Sequence, residues 1–299
     1  MPRLSSFTRL LDRGRFNDRI LRQLGWSMAF IAGAINAGGF LAVHRYTSHV
    51  SGIVSGLADG LALGEATVAL SLLVMLCSFI AGAMHSTWLI LWARRQRLRG
   101  GYGVSMMEEA LLLLLFGLLG AGLSLHKGLF TPPTVMLLCF IMGMHNTIVT
   151  KLSGGLLRST HMTGIATDLG IELAKMSYYN RQHGPRIQDV RANRAKFRIY
   201  GLILLSFFLG GVVGALGFKH LGFGFTLPLA LLLFLLGLRP VWYDIRLRWR
   251  WWRGEPERAW RFARDDDGLE AVSGLNSPRR RGTLPVSAPR GATASSRRL

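Results

Sequence analysis

One polar stretch occurs twice in an otherwise apolar chain, and it limits the possible folds more than any other feature. The first copy is Tyr46-Thr47-Ser48-His49-Val50-Ser51-Gly52-Ile53 and the second is Arg158-Ser159-Thr160-His161-Met162-Thr163-Gly164-Ile165. Histidine, glycine and isoleucine are kept, while serine and threonine exchange at three places. The match extends downstream, with Ser55 opposite Thr167 and Leu57 opposite Leu169. It also extends upstream, where Gly33-Ala34-Ile35-Asn36 parallels Gly143-Met144-His145-Asn146 at a spacing two residues longer in the second half. Two such copies indicate a duplicated core.

The surrounding residues place that core in a bilayer. Half of the 299 residues are hydrophobic, and many of the 36 glycines lie within apolar runs, as in membrane helices that pack closely. The net charge of +20 comes from arginines and lysines that lie almost wholly outside those runs. This placement fits the anionic side of a membrane and argues against nucleic acid as a partner. Cys77 and Cys139 both fall in apolar segments, so buried thiols are expected rather than a disulfide. No cleavable signal peptide is expected, since the first apolar run comes late and is long.

Taken in order, residues 1–23 set Arg3, Arg9, Arg13, Arg15, Arg19 and Arg22 among apolar residues, predicting a basic amphipathic helix on the membrane surface. A first membrane repeat covers 24–125, with spans near 24–43, 66–92 and 106–125. A second covers 134–238, with spans near 134–149, 199–217 and 221–238. Each run approaches the ~20 residues a crossing helix needs. Residues 53–63 and 162–173 are about half that length and cannot cross alone. Glu108 and Glu109 are expected in the first turn of the third span, complementing the helix dipole. Pro132-Pro133 belongs to the turn before the fourth. Residues 239–272, rich in Trp and Arg, suit the headgroup level, and the Ser/Pro/Gly/Arg-rich tail 273–299 should be disordered.

The basic loops assign sides. The start of the chain, Arg94–Arg99, Lys151–Lys196 and the tail carry the positive charge, so six spans with both termini in the cytoplasm satisfy every loop. The expected fold is therefore an all-α polytopic membrane protein of six transmembrane helices plus two short half-helices. Three spans per half invert the second half relative to the first. The two short segments then enter from opposite faces and meet near the midplane. The structural alternative lays them flat at the interfaces.

The run Gly39-Phe40-Leu41-Ala42-Val43 through Tyr46–Gly52 resembles the first hallmark of the YoaK family of bacterial membrane proteins. Met142-Gly143-Met144-His145-Asn146, followed by Arg158–Gly164 and Thr167-Asp168-Leu169-Gly170, resembles the second. Val50 stands where methionine is common in that family, and His145 where glutamine is common. The resemblance covers roughly residues 24 to 238. It implies a multi-pass protein of the bacterial cytoplasmic (inner) membrane and supplies neither a reaction nor an active site.

Ser48 and Thr160 are the expected N-caps of the short helices. A half-helix that starts inside a membrane presents free N–H groups and a partial positive charge, suited to an anion, while its hydroxyls can also coordinate a cation. The expected pathway residues are Asn36, Thr47, Ser48, His49, Ser51, Ser55 and Asp59 in the first half. In the second they are Asn146, Thr160, His161, Thr163, Thr167 and Asp168, with Asp168 and Glu172 as an acidic pair. Each hydroxyl can equally be an interhelical hydrogen-bond donor. Asn36 and Asn146 are expected to bridge helices to the motif backbone, and His85 to be structural.

Transport or conduction of a small solute or ion is the leading reading, with no cofactor, no metal site and no catalytic residue assigned. The competing readings are an intramembrane hydrolase-like enzyme, divalent-metal handling by the histidines and acids, and a non-transporting scaffold or sensor. The lipid bilayer is the one partner the composition names, and a homo-oligomer is compatible with it.

Overall fold

The computed structural model describes residues 19–43, 47–96, 98, 101–122, 127–153, 160–179 and 190–252. They form eight α-helices and one 3-10 turn: α1 (Arg19–Val43), α2 (Val50–Ala62), α3 (Ala66–Arg95), α4 (Gly101–Gly122), α5 (Lys127–Leu152), α6 (Met162–Ser177), α7 (Arg194–Leu221), the 3-10 turn Gly222–Phe225 and α8 (Thr226–Trp252). No strand occurs among the described residues. The chain divides into a unit ending at Trp249 and a second, Arg250–Leu299, of which only the last residues of α8 are described. The amphipathic helix expected over most of 1–23, and everything expected beyond Trp252, lie outside the described residues.

The core belongs to α1, α4, α5 and α8. Met28, Ile31 and Ile35 of α1, Leu113 and Phe116 of α4, Ile141 and Met142 of α5 and Leu233 of α8 are fully enclosed. The large apolar side chains left exposed crowd the outer helices instead, among them Leu70, Ile80 and Trp88 on α3 and Leu205, Phe208 and Leu216 on α7. In water such a coat would forfeit about 25 cal/mol for every Å². Against hydrocarbon it costs nothing, and helices meet their backbone hydrogen bonds internally there. Four stretches are long and apolar enough to cross a membrane by length and composition: Ala66–Arg95, Gly101–Gly122, Thr131–Leu152 and Arg194–Leu238. This is a membrane protein. The 45-residue stretch is broken at Gly222, whose φ of +57° favours a residue without a Cβ.

Several expected boundaries move. α4 starts at Gly101 rather than Met106, which puts Glu108 and Glu109 in its third turn, away from the free N–H groups they were expected to face. The cause is close packing. A Cβ at Gly103 would press on the Gly237 carbonyl and Pro240, so glycines that read as a loop are helix residues at a contact. α5 begins before Pro132-Pro133 and carries both prolines inside its start. The turn before the last helix falls at 222–225, and that helix runs on through Trp252, so Trp242 and Trp249 are helical.

Two helix pairs make the tightest contacts, and they are built alike. α1 meets α7 where a Cβ on Gly33 would overlap the Phe207 carbonyl oxygen and one on Gly210 would overlap that of Phe30. α5 meets α3 where Gly143 faces the Phe79 carbonyl and Gly82 that of Phe140. Gly33 and Gly143 are the glycines that precede the two asparagines of the repeated sequence.

Candidate functional site

Each short helix opens on a histidine. His49 is the N-cap of α2 and His161 that of α6, and neither side chain caps the helix by hydrogen bond. The first backbone bonds run from Ile53 N–H to the His49 carbonyl (3.1 Å) and from Ile165 N–H to the His161 carbonyl (3.2 Å). Ser48 and Thr160 are not the caps expected of them. They sit one residue too early to reach the helix N–H groups, and each donates to an asparagine instead. Ser48 Oγ reaches Asn36 Oδ1 and Thr160 Oγ1 reaches Asn146 Oδ1, both at 2.8 Å. The asparagines therefore bridge to motif side chains rather than to motif backbone. The remaining free N–H groups keep each helix start electropositive.

The imidazoles take the same seat in both halves. A Cβ on Gly52 would stand 2.6 Å from His49 Nδ1, and one on Gly164 would stand 2.6 Å from His161 Nδ1. Only a residue without a side chain leaves room for the ring there. Ile53 and Ile165, next in sequence, are buried and anchor each tip.

Both tips border one cavity of about 1130 Å³. Ser48, His49 and Ser51 line it from the first motif, and Asn146, Thr160, His161 and Thr163 from the second. Its walls are α3, through Ala83, Thr87 and Trp88, and α5, through Gly143, Thr147, Thr150 and Lys151. None of the described lining residues is acidic.

The other expected pathway residues lie elsewhere. Asn36 stands behind Ser48, holding it. Thr47 is fully buried, and its hydroxyl has no hydrogen-bond partner. Ser55, Asp59 and Thr167 are exposed farther along their helices. Asp168 and Glu172 are committed to other partners: Asp168 accepts from Lys196 Nζ (3.1 Å), and Glu172 accepts from Lys175 Nζ (2.9 Å) and the Asn193 backbone N–H (2.6 Å). The Lys175 bond, then the Asn193 bond, hold the Glu172 carboxyl below the ordinary carboxylate range. Ser48 and Thr160 donate to amide oxygens and not to a histidine. No group of three or more His, Cys, Asp or Glu side chains that could hold a metal ion occurs among the described residues.

A second polar centre escaped the sequence reading. Glu109 and His145 are fully buried, with Oε1 and Nδ1 2.6 Å apart, and His145 Nε2 donates to the Met28 carbonyl of α1 at 3.0 Å. On α3 and α4, Ser86 and Ser105 are hydrogen-bonded at 2.9 Å, and His85, expected to be structural, pairs at 2.6 Å with Glu108, the sequence neighbour of Glu109. The signal was present: two acids and two histidines inside apolar runs, where ionisable groups are costly.

A protein family described as "Protein of unknown function (DUF1275)" matches residues 24–238, the extent of the repeated core. No curated protein and no solved structure matches the chain.

Proposed function

This chain belongs to the DUF1275 family, a family of unknown function; from that premise we propose that it is a transporter or channel for a small solute or ion, with its site between the two histidine tips. The observation that carries the reading is the cavity shared by both motifs, with His49 and His161 exposed at its edge. Counting α1 as a span and dividing Arg194–Leu238 at Gly222 gives six crossings. Both termini then lie in the cytoplasm of a bacterial inner membrane, and the halves are inverted relative to each other. The matched glycine contacts of α1 with α7 and of α5 with α3 are what an inverted duplication would produce.

The lining favours an anion. Two helix starts without side-chain caps, two imidazoles, Lys151 and several hydroxyls border the cavity, with no described carboxylate to repel negative charge. The fixed dipoles act in surroundings of low dielectric, where they are worth more than in water.

Flux through proteoliposomes tests this, with chloride, nitrate and phosphate set against sodium and potassium. Anion flux is expected in the wild type and should fall at least about tenfold in His49→Ala and in His161→Ala, the equivalent of ~1.4 kcal/mol. No flux for any of the five ions, or flux indifferent to both substitutions, counts against the reading. Cation flux that the substitutions abolish would keep the site and reverse its selectivity.

A further inference from the structure

Among the described residues, the best-enclosed ionisable side chains are outside the cavity lining. Glu109 of α4 and His145 of α5 both have zero exposure. The Met28 carbonyl only accepts, so His145 Nε2 carries a hydrogen. Nδ1 and Oε1 both bear lone pairs, so at 2.6 Å a second proton must lie between them. The pair holds two protons and is neutral overall, whichever side of the short bond the shared one occupies. Glu109 Oε2 has no hydrogen-bond partner. Buried carboxylate oxygens are mostly satisfied, so an unpaired one calls for a reason. One bare oxygen makes the ionised form expensive, so the pair is stable here only while the shared proton stays.

We propose that Glu109 and His145 form a proton-binding site inside the membrane, and that its loading and unloading drives solute through the cavity; the second half of this statement rests on the transport reading above. In the loaded state, as seen, the shared proton closes the contact. Once that proton has left, the imidazole keeps its Nε2 hydrogen, the glutamate is a carboxylate, and two lone pairs face each other. The contact must then open. The movement has a direct route to the cavity: His145 precedes Asn146, which holds Thr160 beside His161.

The neighbouring groups are few. α3 and α4 contribute the His85–Glu108 pair and, farther along, Arg94 hydrogen-bonded to Tyr102. Among the described residues α5 also carries Cys139 and Lys151, α8 carries Tyr243 and Asp244, and α1 has no titratable side chain between Gln23 and Phe40. The duplication supplies no counterpart, because the position equivalent to His145 in the first half is Ile35, also fully buried.

Infrared titration of the full chain in nanodiscs from about pH 4 to about pH 9 tests the site without any solute. The wild type should show a signal of the pair, either a protonated carboxyl or an imidazolium beside a carboxylate, that titrates, that Glu109→Gln removes and that Glu108→Gln keeps. No such signal, or one that survives Glu109→Gln, overturns the proposal. Should Glu109→Gln fail to fold, His145→Gln retains a donor for the Met28 carbonyl. It should displace the midpoint of the signal by at least one pH unit or so, and an unmoved midpoint overturns the site. Coupling is read from proteoliposomes loaded with a pH-sensitive dye under an imposed chloride or phosphate gradient. Proton movement should accompany the anion in the wild type and in Glu108→Gln, and vanish in Glu109→Gln. Anion flux without proton movement in the wild type, or proton movement that survives the substitution, overturns coupling. If neither anion moves, the transport reading and the coupling fall together, and the infrared result decides the proton site by itself.

Discussion

α2 and α6 begin with the same construction, a histidine folded over a glycine beside a hydroxyl held by asparagine, and are fastened to the molecule by different means. α2 docks through Ile53 against Leu72, Met75 and Cys139, and through Gly60 beside Ala69, while Ser51, Ser55 and Asp59 stay exposed. α6 docks through Ile165 near its tip and through charge at its far end, where Asp168 meets Lys196 and Glu172 meets Lys175 and the Asn193 backbone. What the halves share is confined to the tips and to the helices that carry them. What differs is how each distal end suits its surroundings, apolar for one and lysine-rich for the other. That distribution is expected if the tips do a joint job and the stems only hold them.

The comparison is most easily broken at the shared glycines. Gly33→Ala and Gly143→Ala each force a Cβ into a backbone carbonyl, at a cost on the order of 1–3 kcal/mol or more. Both should lower the melting temperature of the purified protein by similar amounts. A harmful change in one half and a tolerated one in the other would show that the two contacts are not equivalent.

Smaller effects are expected at the asparagines. Asn36→Ala and Asn146→Ala each remove one hydrogen bond from the Ser48 or Thr160 hydroxyl, which borders the cavity, at a cost of about 0.5–1.5 kcal/mol. Thermal denaturation should show matching losses. A clear difference between the two would assign the heavier duty to one tip.

The smallest effect should separate the halves instead of pairing them. The hydrogen bonds that lower the Glu172 pKa contribute stability above the ordinary value of 4.5, and that contribution is lost as pH falls through the lower folded value. α2 has no such tie at its end. Hydrogen exchange corrected for intrinsic rates should therefore show α6 loosening before α2 under acid. Neutralising Asp168 should add no more than about 1 kcal/mol, since both partners of that pair are partly exposed. Equal loosening of both helices would mean the charges at α6 hold nothing.

Much of this could be read from the chain because the repeated features are local: a histidine three residues before a glycine, an asparagine some dozen residues upstream of a hydroxyl. The pairing of Asn36 with Ser48 and of Asn146 with Thr160 follows the register of the duplication. The cap assignment failed by one residue, a shift that no composition rule resolves. The Glu109–His145 contact was missed for a different reason. The third span is expected to start at Met106, where the apolar run begins, and Glu109 then falls in its first turn. Only the proximity of Gly237 and Pro240 explains why glycines belong inside that helix, and proximity between distant segments is not written in either one.

The glycine seats under His49 and His161 carry a consequence for how the tips move. With a hydrogen where any other residue has a carbon, each imidazole sits against the first turn of its own helix without a capping hydrogen bond. An alanine at Gly52 or Gly164 would leave the backbone path intact and lever the ring outward, like a hinge pin of the wrong gauge. The chain thus has two parking places for a ring that is held by shape alone, and a ring held by shape is free to leave when something better presents itself.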